Sequence, residues 1–416
     1  MADPAFWCAL FNNAIAAVQA DVCLPKHLPN PLKYKNIKVI AAGKAAAAMS
    51  LALEKSWPDI TISGFAVCPP GYECDCQKIS VMTAAHPVPD ENSIEAGKRA
   101  LATANSAMAG DLLLILLSGG GSSLLCAPIE GMSLAQKQAL SQRLLLSGAS
   151  IREMNIVRSA YSRTKGGGLV TGVTKGVEIL TLVISDVVGD DLAAIASGPS
   201  YVSQYNEGRL GEILKRYGID VGAPPPIDRK PNQCAVHHKI IASGPIALEQ
   251  VALFLEAQGY RVLDIGFEVQ GEAVDVARMH SVLITSMVAK MPNERLAFIS
   301  GGELTVTVRG KGKGGPNQEY LLALMEALDP GPFSGFAADS DGLDGTGDAA
   351  GAFFNPESHA KAHHKGRYSF YIKNNDSHLF FNELNSLFKV KPTFTNVNDI
   401  RVTLYDPRKS GLLTEL

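Results

Sequence analysis

The run Leu112-Leu-Leu-Ile-Leu-Leu117, followed by Ser118-Gly-Gly-Gly-Ser-Ser123, constrains this chain more than any other segment. Six consecutive apolar residues suit a strand covered on both faces, the setting of a parallel sheet flanked by helices. The three glycines allow a sharp turn and a close approach of backbone to a ligand. A helix entered directly afterwards would aim unpaired N–H groups and a partial positive charge at an anion, phosphate above all. A tight strand-to-helix turn with no ligand is the competing reading.

The same pattern recurs. Ile37–Ala42 leads into Gly43-Lys44 and an alanine-rich helix, and 178–185 leads into Asp186-Val-Val-Gly-Asp-Asp191. Such alternation implies a parallel sheet with helices on both faces, whose ligands bind at the carboxyl ends of the strands. The proline-rich stretch 221–231 reads as a linker. Beyond it, strands are predicted at 239–244, 261–266 and 296–303, with 304–308 as a half-exposed antiparallel strand. The expected fold is α/β: a Rossmann-like parallel-sheet domain over 1–230, then a second, smaller α/β domain with a mixed sheet over 231–416.

A chain of 416 residues exceeds one ordinary core, which agrees with two domains. A hydrophobic share of 46% and a charged share of 19% describe a soluble globular protein. The net charge of −3, without a long basic stretch, argues against nucleic acid or an anionic membrane as the main partner. The apolar runs are strand-sized, so no transmembrane helix is expected, and the N-terminus lacks the basic region of a signal peptide. Seven scattered cysteines fit reduced thiols in a cytoplasmic enzyme.

Several chemistries are missing. There is no Walker A run, no dinucleotide-binding G-x-G-x-x-G after a strand, and no G-x-S-x-G nucleophile elbow. The residues that remain suit polyphosphate. Lys44 follows a strand at a helix start, where a cation is unfavourable unless an anion joins it. Asp186, Asp190 and Asp191 follow one strand, and Asp339, Asp341, Asp344 and Asp348 fall in one loop. Carboxylates grouped at strand ends suit Mg²⁺, which takes one or two of them plus phosphate oxygens and waters. Turn-forming aspartate is the competing reading, strongest for Asp344 and Asp348. Arg158, Lys165 and Arg401 are candidates to hold a substrate carboxylate, which an arginine fork grips bidentately. His86, followed by Pro87 and a second proline at 89, reads as a rigid loop residue.

The ordered motifs Ala42-Gly-Lys-Ala45, His86-Pro-Val-Pro-Asp90, Ser118-Gly-Gly-Gly-Ser122, Lys165-Gly-Gly167, Ser185-Asp-Val-Val-Gly-Asp-Asp191, Ile195-Ala-Ser-Gly-Pro199, Ser300-Gly-Gly-Glu303, Gly314-Gly-Pro-Asn-Gln-Glu319, Asp341-Gly-Leu-Asp344 and Asn396-Val-Asn-Asp-Ile-Arg401 carry a family resemblance. From about Ile37 to Leu404 the chain resembles the glycerate 2-kinases of the MOFRL type, whose members are also often labelled hydroxypyruvate reductases. The resemblance implies phosphorylation of D-glycerate to 2-phosphoglycerate with ATP and Mg²⁺, in a cleft between the domains. On this reading Lys44, Asp186 and Asp190 are catalytic. Ser118, Gly119, Gly120, Gly121, Ser122, Ser123, Asn317 and Glu319 bind phosphate or nucleotide. His86, Arg158, Lys165 and Arg401 bind substrate, and Asp186, Asp190, Glu303 and Asp341 hold the metal. A homodimer is compatible with it. Two departures stand out: Ser159-Ala-Tyr-Ser162 where members often have Lys-His-Leu-Ser, and Pro316 where many have arginine. The alternative activity, an NAD(P)H-dependent hydroxypyruvate reductase, lacks its dinucleotide fingerprint.

Overall fold

Parallel strands need long crossovers, and the first half of the chain supplies them as helices. The computed structural model describes residues 3–202, 207–222, 224 and 234–409. Its strands, in chain order, are β1 Ile37–Ala42, β2 Ile62–Cys68, β3 Ser80–Thr83, β4 Leu112–Leu117, β5 Glu178–Ile184, β6 Ala235–Ala242, β7 Arg261–Asp264, β8 Val269–Glu272, β9 Leu296–Ser300, β10 Gly302–Thr305, β11 Phe333–Asp339, β12 Gly351–Phe354, β13 Leu387–Phe388 and β14 Asp399–Tyr405.

One compact unit comprises Ala20–Ile241. Its six-stranded sheet has the order β3-β2-β1-β4-β5-β6. β1 pairs in parallel with both β2 and β4, Ala42 lying beside Val67 on one side and Leu117 on the other. β3 and β5 extend the sheet in parallel. All six residues of β4 are buried, as the unbroken apolar run requires. Each leucine so buried contributes on the order of 1.5–3 kcal/mol. One covering layer is the Glu91–Asn105 helix, started by a capping box between Asp90 and Ser93. Its Ala96, Ala100 and Ala104 pack in one core cluster with Ile40, Leu113 and Ile115. Small residues at this spacing let helix and sheet approach closely.

The other unit comprises Met1–Gln19 with Ala242–Leu416. Its six-stranded sheet, β13-β12-β11-β14-β9-β7, is mixed: β14 pairs antiparallel with β11 and β9, while β7 runs parallel to β9. Against it lies the Pro316–Ala327 helix, with every residue from Asn317 to Met325 buried. A helix enclosed on all sides is the centre of a core, here with Phe298, Ala337, Phe354 and Phe381 around it.

Three expectations change. The N-terminal helix, Pro4–Val18, belongs to the unit that otherwise begins at Ala242, so the division is not the contiguous 1–230 and 231–416. The reason is aromatic packing: Trp7 stacks on Phe336 of β11 at 5.2 Å, and Phe6 meets Phe254. The strand expected at 239–244 is β6, and it joins the parallel sheet of the first unit. The strand expected over 304–308 is β10, which ends at Thr305 and pairs with β8 in parallel. Most of the proposed linker, 223 and 225–231, lies outside the described residues. Among the described residues no single helix is long and apolar enough to cross a membrane.

Candidate active site

In the order β3-β2-β1-β4-β5-β6 the direction of winding reverses between β1 and β4, and a doubly wound sheet binds ligands outside the strand ends at that point. The two turns that leave these strands are Gly43-Lys44 and 118–123. They are tied together: the Lys44 N–H donates to the Gly119 carbonyl at 2.8 Å, and the Ala45 N–H to Ser118 Oγ at 2.9 Å. Gly43 has a φ of +130°, and a Cβ there would overlap Ser118. The glycine is what lets the two turns touch.

The helix after the glycine turn is a single turn, Gly121–Leu124, not the full helix the sequence suggests. Gly121 N–H donates to the Ser118 carbonyl and Ser123 N–H to that of Gly120, so part of the turn's donor set serves the turn itself. A Cβ on Gly119 would overlap the carboxylate of Asp186, which puts this carboxylate against the turn. His86 Nδ1 lies 2.8 Å from Ser123 Oγ, and its ring passes 3.3 Å from where a Gly120 Cβ would be.

Lys165 reaches the turn from below. It is 5% exposed, and its Nζ donates to the Ser122 carbonyl at 2.6 Å and contacts Ser122 Oγ. Burial, reinforced by the nearby cations Lys137 and Arg158, holds its pKa well below the usual lysine value. Ser122 Oγ in turn lies 2.9 Å from Ser197 Oγ, which donates to Asn155 Oδ1 at 3.3 Å. Arg158 is half-buried near the end of the Ile151–Ala160 helix, and burial lowers its pKa. The end of that helix is held by the buried Lys137, whose Nζ donates to the carbonyls of Arg158 and Tyr161. A cation at a helix C-terminus is favourable. Asp190 follows Asp186 in the same loop, half-buried, with a φ of +52°.

Residues 7–230 match a family described only as a domain of unknown function (DUF4147), and residues 296–399 match the MOFRL family. The glycerate 2-kinase of Pyrococcus horikoshii is 36% identical over 90% of this chain and 88% of its own. An Agrobacterium vitis protein provisionally named hydroxypyruvate reductase is 37% identical over 95% of this chain and 93% of its own. The crystal structure of glycerate kinase from Thermotoga maritima superposes with a TM-score of 0.85 at 31% identity, covering 97% of this chain and 99% of that one. The chain belongs to the MOFRL-type glycerate kinase family.

Within this family assignment, the structure gathers Lys44, His86, Ser118–Ser123, Lys165 and Asp186 around one turn. Arg158 and Asp190 lie in the same unit, whereas Glu303, Asn317, Glu319, Asp341 and Arg401 lie in the other, where several have structural duties. Arg401 is not in a polar loop but in β14, 1% exposed. Its Nη1 donates to Asp399 Oδ2 at 2.6 Å, its Nε to Ser300 Oγ at 3.2 Å, and its Nη2 to the Gly301 carbonyl. A guanidinium with these internal partners holds β14 to β9 and is not offered to a substrate. Asn317 is likewise buried, its amide donating to Asp399 and Asp344. Asp344 accepts the backbone N–H groups of Asn317 and Gln318 at 3.0 and 2.9 Å, so the start of the Pro316–Ala327 helix already has its anion. With its amide held by these two carboxylates, Asn317 serves the helix start and not, as expected, a nucleotide. Glu319 is different: it lines a cavity of about 390 Å³ with Leu304, Val306, Pro316, Thr346 and Asn375, and burial raises its pKa. Glu303 is exposed on β10, and Asp341 is buried with its carboxylate accepting the Leu343 N–H at 2.9 Å.

Among the described residues no three His, Cys, Asp or Glu side chains are grouped to hold a metal. Glu303 and Asp341 belong to one unit, Asp186 and Asp190 to the other. Asp186 does fit Mg²⁺, which needs one or two carboxylates when phosphate oxygens and waters fill the rest. Sequence reasoning gave no role to Asn155, Ser197 or Lys137. Ser197 sat inside a family motif, but nothing local marks a serine that will face a turn 75 residues away.

Proposed function

We propose that this chain phosphorylates the 2-hydroxyl of D-glycerate, using ATP and Mg²⁺. The observation that carries this reading is the convergence of Lys44, His86, Lys165 and Asp186 on one glycine turn at the sheet's switch point, in a chain of the glycerate kinase family. Phosphoryl transfer asks for positioned charge more than for covalent chemistry. In this reading Lys44 neutralises charge that develops on the transferring group. Asp186, with Asp190 behind it, holds Mg²⁺, and the bound ion supplies charge neutralisation to the phosphate oxygens. Arg158 grips the substrate carboxylate. His86 orients the ligand over Ser123. The choice of the 2-hydroxyl rests on the family resemblance.

A reductase would need a dinucleotide site. The turn after β1 reads Gly43-Lys-Ala-Ala-Ala47, which has one glycine where the dinucleotide fingerprint has three. Two assays on the same preparation separate the readings: ADP release with D-glycerate and Mg-ATP, and NADH consumption with hydroxypyruvate. ADP release that depends on glycerate is the expected result. Phosphorus NMR of the product against authentic 2- and 3-phosphoglycerate fixes the hydroxyl, and a 3-phosphoglycerate signal rejects that part of the proposal.

A further inference from the structure

We infer that Ser122 is a lysine-activated nucleophile that takes a phosphoryl group from a nucleoside triphosphate and hands it to the hydroxy acid. The inference rests on the kinase reading above and adds a covalent step to it. Its basis is the hydrogen-bonded chain Lys165–Ser122–Ser197–Asn155. A lysine that only binds phosphate points its ammonium at the ligand. Lys165 instead contacts the hydroxyl and donates to the carbonyl of one and the same serine. The groups that act electrically on it are Lys137 and Arg158, which disfavour its ammonium form, and the Cys126 thiol, which favours it. In these bonds Lys165 Nζ donates to Ser122 Oγ and, with the Ser197 proton on Asn155, the Ser122 proton lies toward Ser197. Rotated to face a neutral Lys165 amine, the hydroxyl can give it that proton, the relation of base to nucleophile in serine–lysine catalysis.

Ser197 supplies the second half of the argument. Ala196 and Ser197 have φ values of +49° and +60°, a region that L-residues enter at a cost of about 1–3 kcal/mol each. The strain is maintained by two backbone bonds, Gly166 N–H to the Ser197 carbonyl and Gly167 N–H to that of Gly198. These residues adjoin Lys165, so a single loop pairing fixes both partners of Ser122. Ser122 itself is half-buried and follows the three glycines directly. Lys137 and Arg158, the cations beside Lys165, favour a phosphoryl donor over a neutral acyl donor.

In the first step Ser122 Oγ forms a bond to the γ-phosphorus. The bond from that phosphorus to the β,γ-bridging oxygen breaks, ADP leaves with the electron pair, and the Ser122 proton passes to Lys165 Nζ. In the second, the acceptor hydroxyl oxygen bonds to phosphorus and the Oγ–P bond breaks. Ser122 regains its proton from Lys165, and the acceptor's proton goes to water.

The test mixes the full-length protein with γ-labelled Mg-ATP, quenches in acid, and maps the label by peptide mass spectrometry. A phosphoserine at Ser122 that D-glycerate discharges is expected, absent in Ser122→Ala and formed on the order of 10²–10⁴-fold more slowly in Lys165→Met. On the wild type, the labelling rate should level off well below the ordinary lysine pKa of about 10.4, a profile a structural lysine would not impose. A fluorophosphonate gives a reading without ATP: Oγ–P forms, P–F breaks, fluoride leaves, and the proton goes to Lys165. Glycerate-dependent ADP release with no phosphoserine on any quench time overturns the inference and leaves the kinase reading standing. Label that glycerate cannot discharge overturns transfer through Ser122. If ATP is not turned over at all, the kinase reading falls, and capture of the fluorophosphonate at Ser122 supports the nucleophile while lack of capture rejects it.

Discussion

Gly119 has no side chain because Asp186 occupies the space one would need. The conflict is with the end of an aspartate side chain, which can swing aside, and not with backbone. Gly119→Ala should therefore cost little stability yet displace the carboxylate from the turn. We expect a near-native thermal melt with kcat lowered at least tenfold and the apparent Mg²⁺ requirement raised; unchanged kinetics would remove Asp186 from the reaction. Lys44 presents a second residue-scale case. Its backbone is fixed by Gly119, so truncating the side chain leaves the turn intact. Lys44→Ala should lower kcat on the order of 10²–10³-fold, the scale of one lost charge stabiliser, with a smaller change in the KM for Mg-ATP. A mutant with near-normal turnover would refute the role. Lys44 and the glycines were legible because their signal is local: a strand, a glycine and a cation in sequence. The role of Lys165 was only half legible. Its charge could be read, but its burial beside Lys137 and Arg158 is a tertiary fact.

The Pro316–Ala327 helix shows what an element owes to a distant residue. Proline at its first position is pre-shaped for a helix, but Gly315 before it has no capping side chain. Asp344 does that work from 27 residues away: four donors, the backbone and side-chain N–H groups of Asn317 and Gln318, converge on its two oxygens. Burial nevertheless pushes its pKa up to about 7, with Asp399 adding repulsion and the hydrogen bonds opposing. A carboxyl with a raised folded pKa binds its proton more tightly in the native state, so its contribution to stability falls as pH rises from about 4 towards 7. Asp344→Asn removes that titration and also leaves donors facing an amide NH₂, at about 1–3 kcal/mol for each one unsatisfied. The stability gap between wild type and mutant should then be widest at about pH 4 and narrow by pH 8, as measured by denaturant unfolding. A gap independent of pH would show that Asp344 does not titrate in this window. The sequence read this aspartate as a turn former, since no local pattern distinguishes a turn carboxylate from one that caps another element. The same limit explains Arg401. Its neighbours Asn396, Asn398 and Asp399 look like a polar loop in sequence, yet Asp399 and Arg401 project from one strand into a buried ion pair. The strands were more legible, because an unbroken apolar run such as β4 admits few other environments.

At the scale of the whole molecule the chain begins in one unit, builds the other, and returns. The doubly wound sheet could be read from its repeated strand, turn and helix, but this return could not. An N-terminal helix shows its apolar face in sequence and says nothing of which sheet receives it. The Pro4–Val18 helix packs Trp7, Leu10 and Phe11 at 0–1% exposure, with Trp7 flat on Phe336 and Phe11 edge-on to Phe388. Thr395 Oγ1 closes the arrangement by donating to the Val18 carbonyl at 3.0 Å. Trp7→Ala should thus cost about 3–5 kcal/mol, the usual range for emptying a buried aromatic site. Trp7→Phe should cost much less, because the indole N–H is buried without a hydrogen-bond partner and its loss leaves nothing unpaired. Hydrogen exchange gives the sharper reading. In Trp7→Ala, protection should fall in 244–257, 333–339 and 387–388, the segments this helix covers, although they lie more than 200 residues away in sequence. Protection in β1 and β4 should fall far less, since their core is formed by other residues. Equal loss in both sets would mean that the helix does not belong to the unit in which the structure places it.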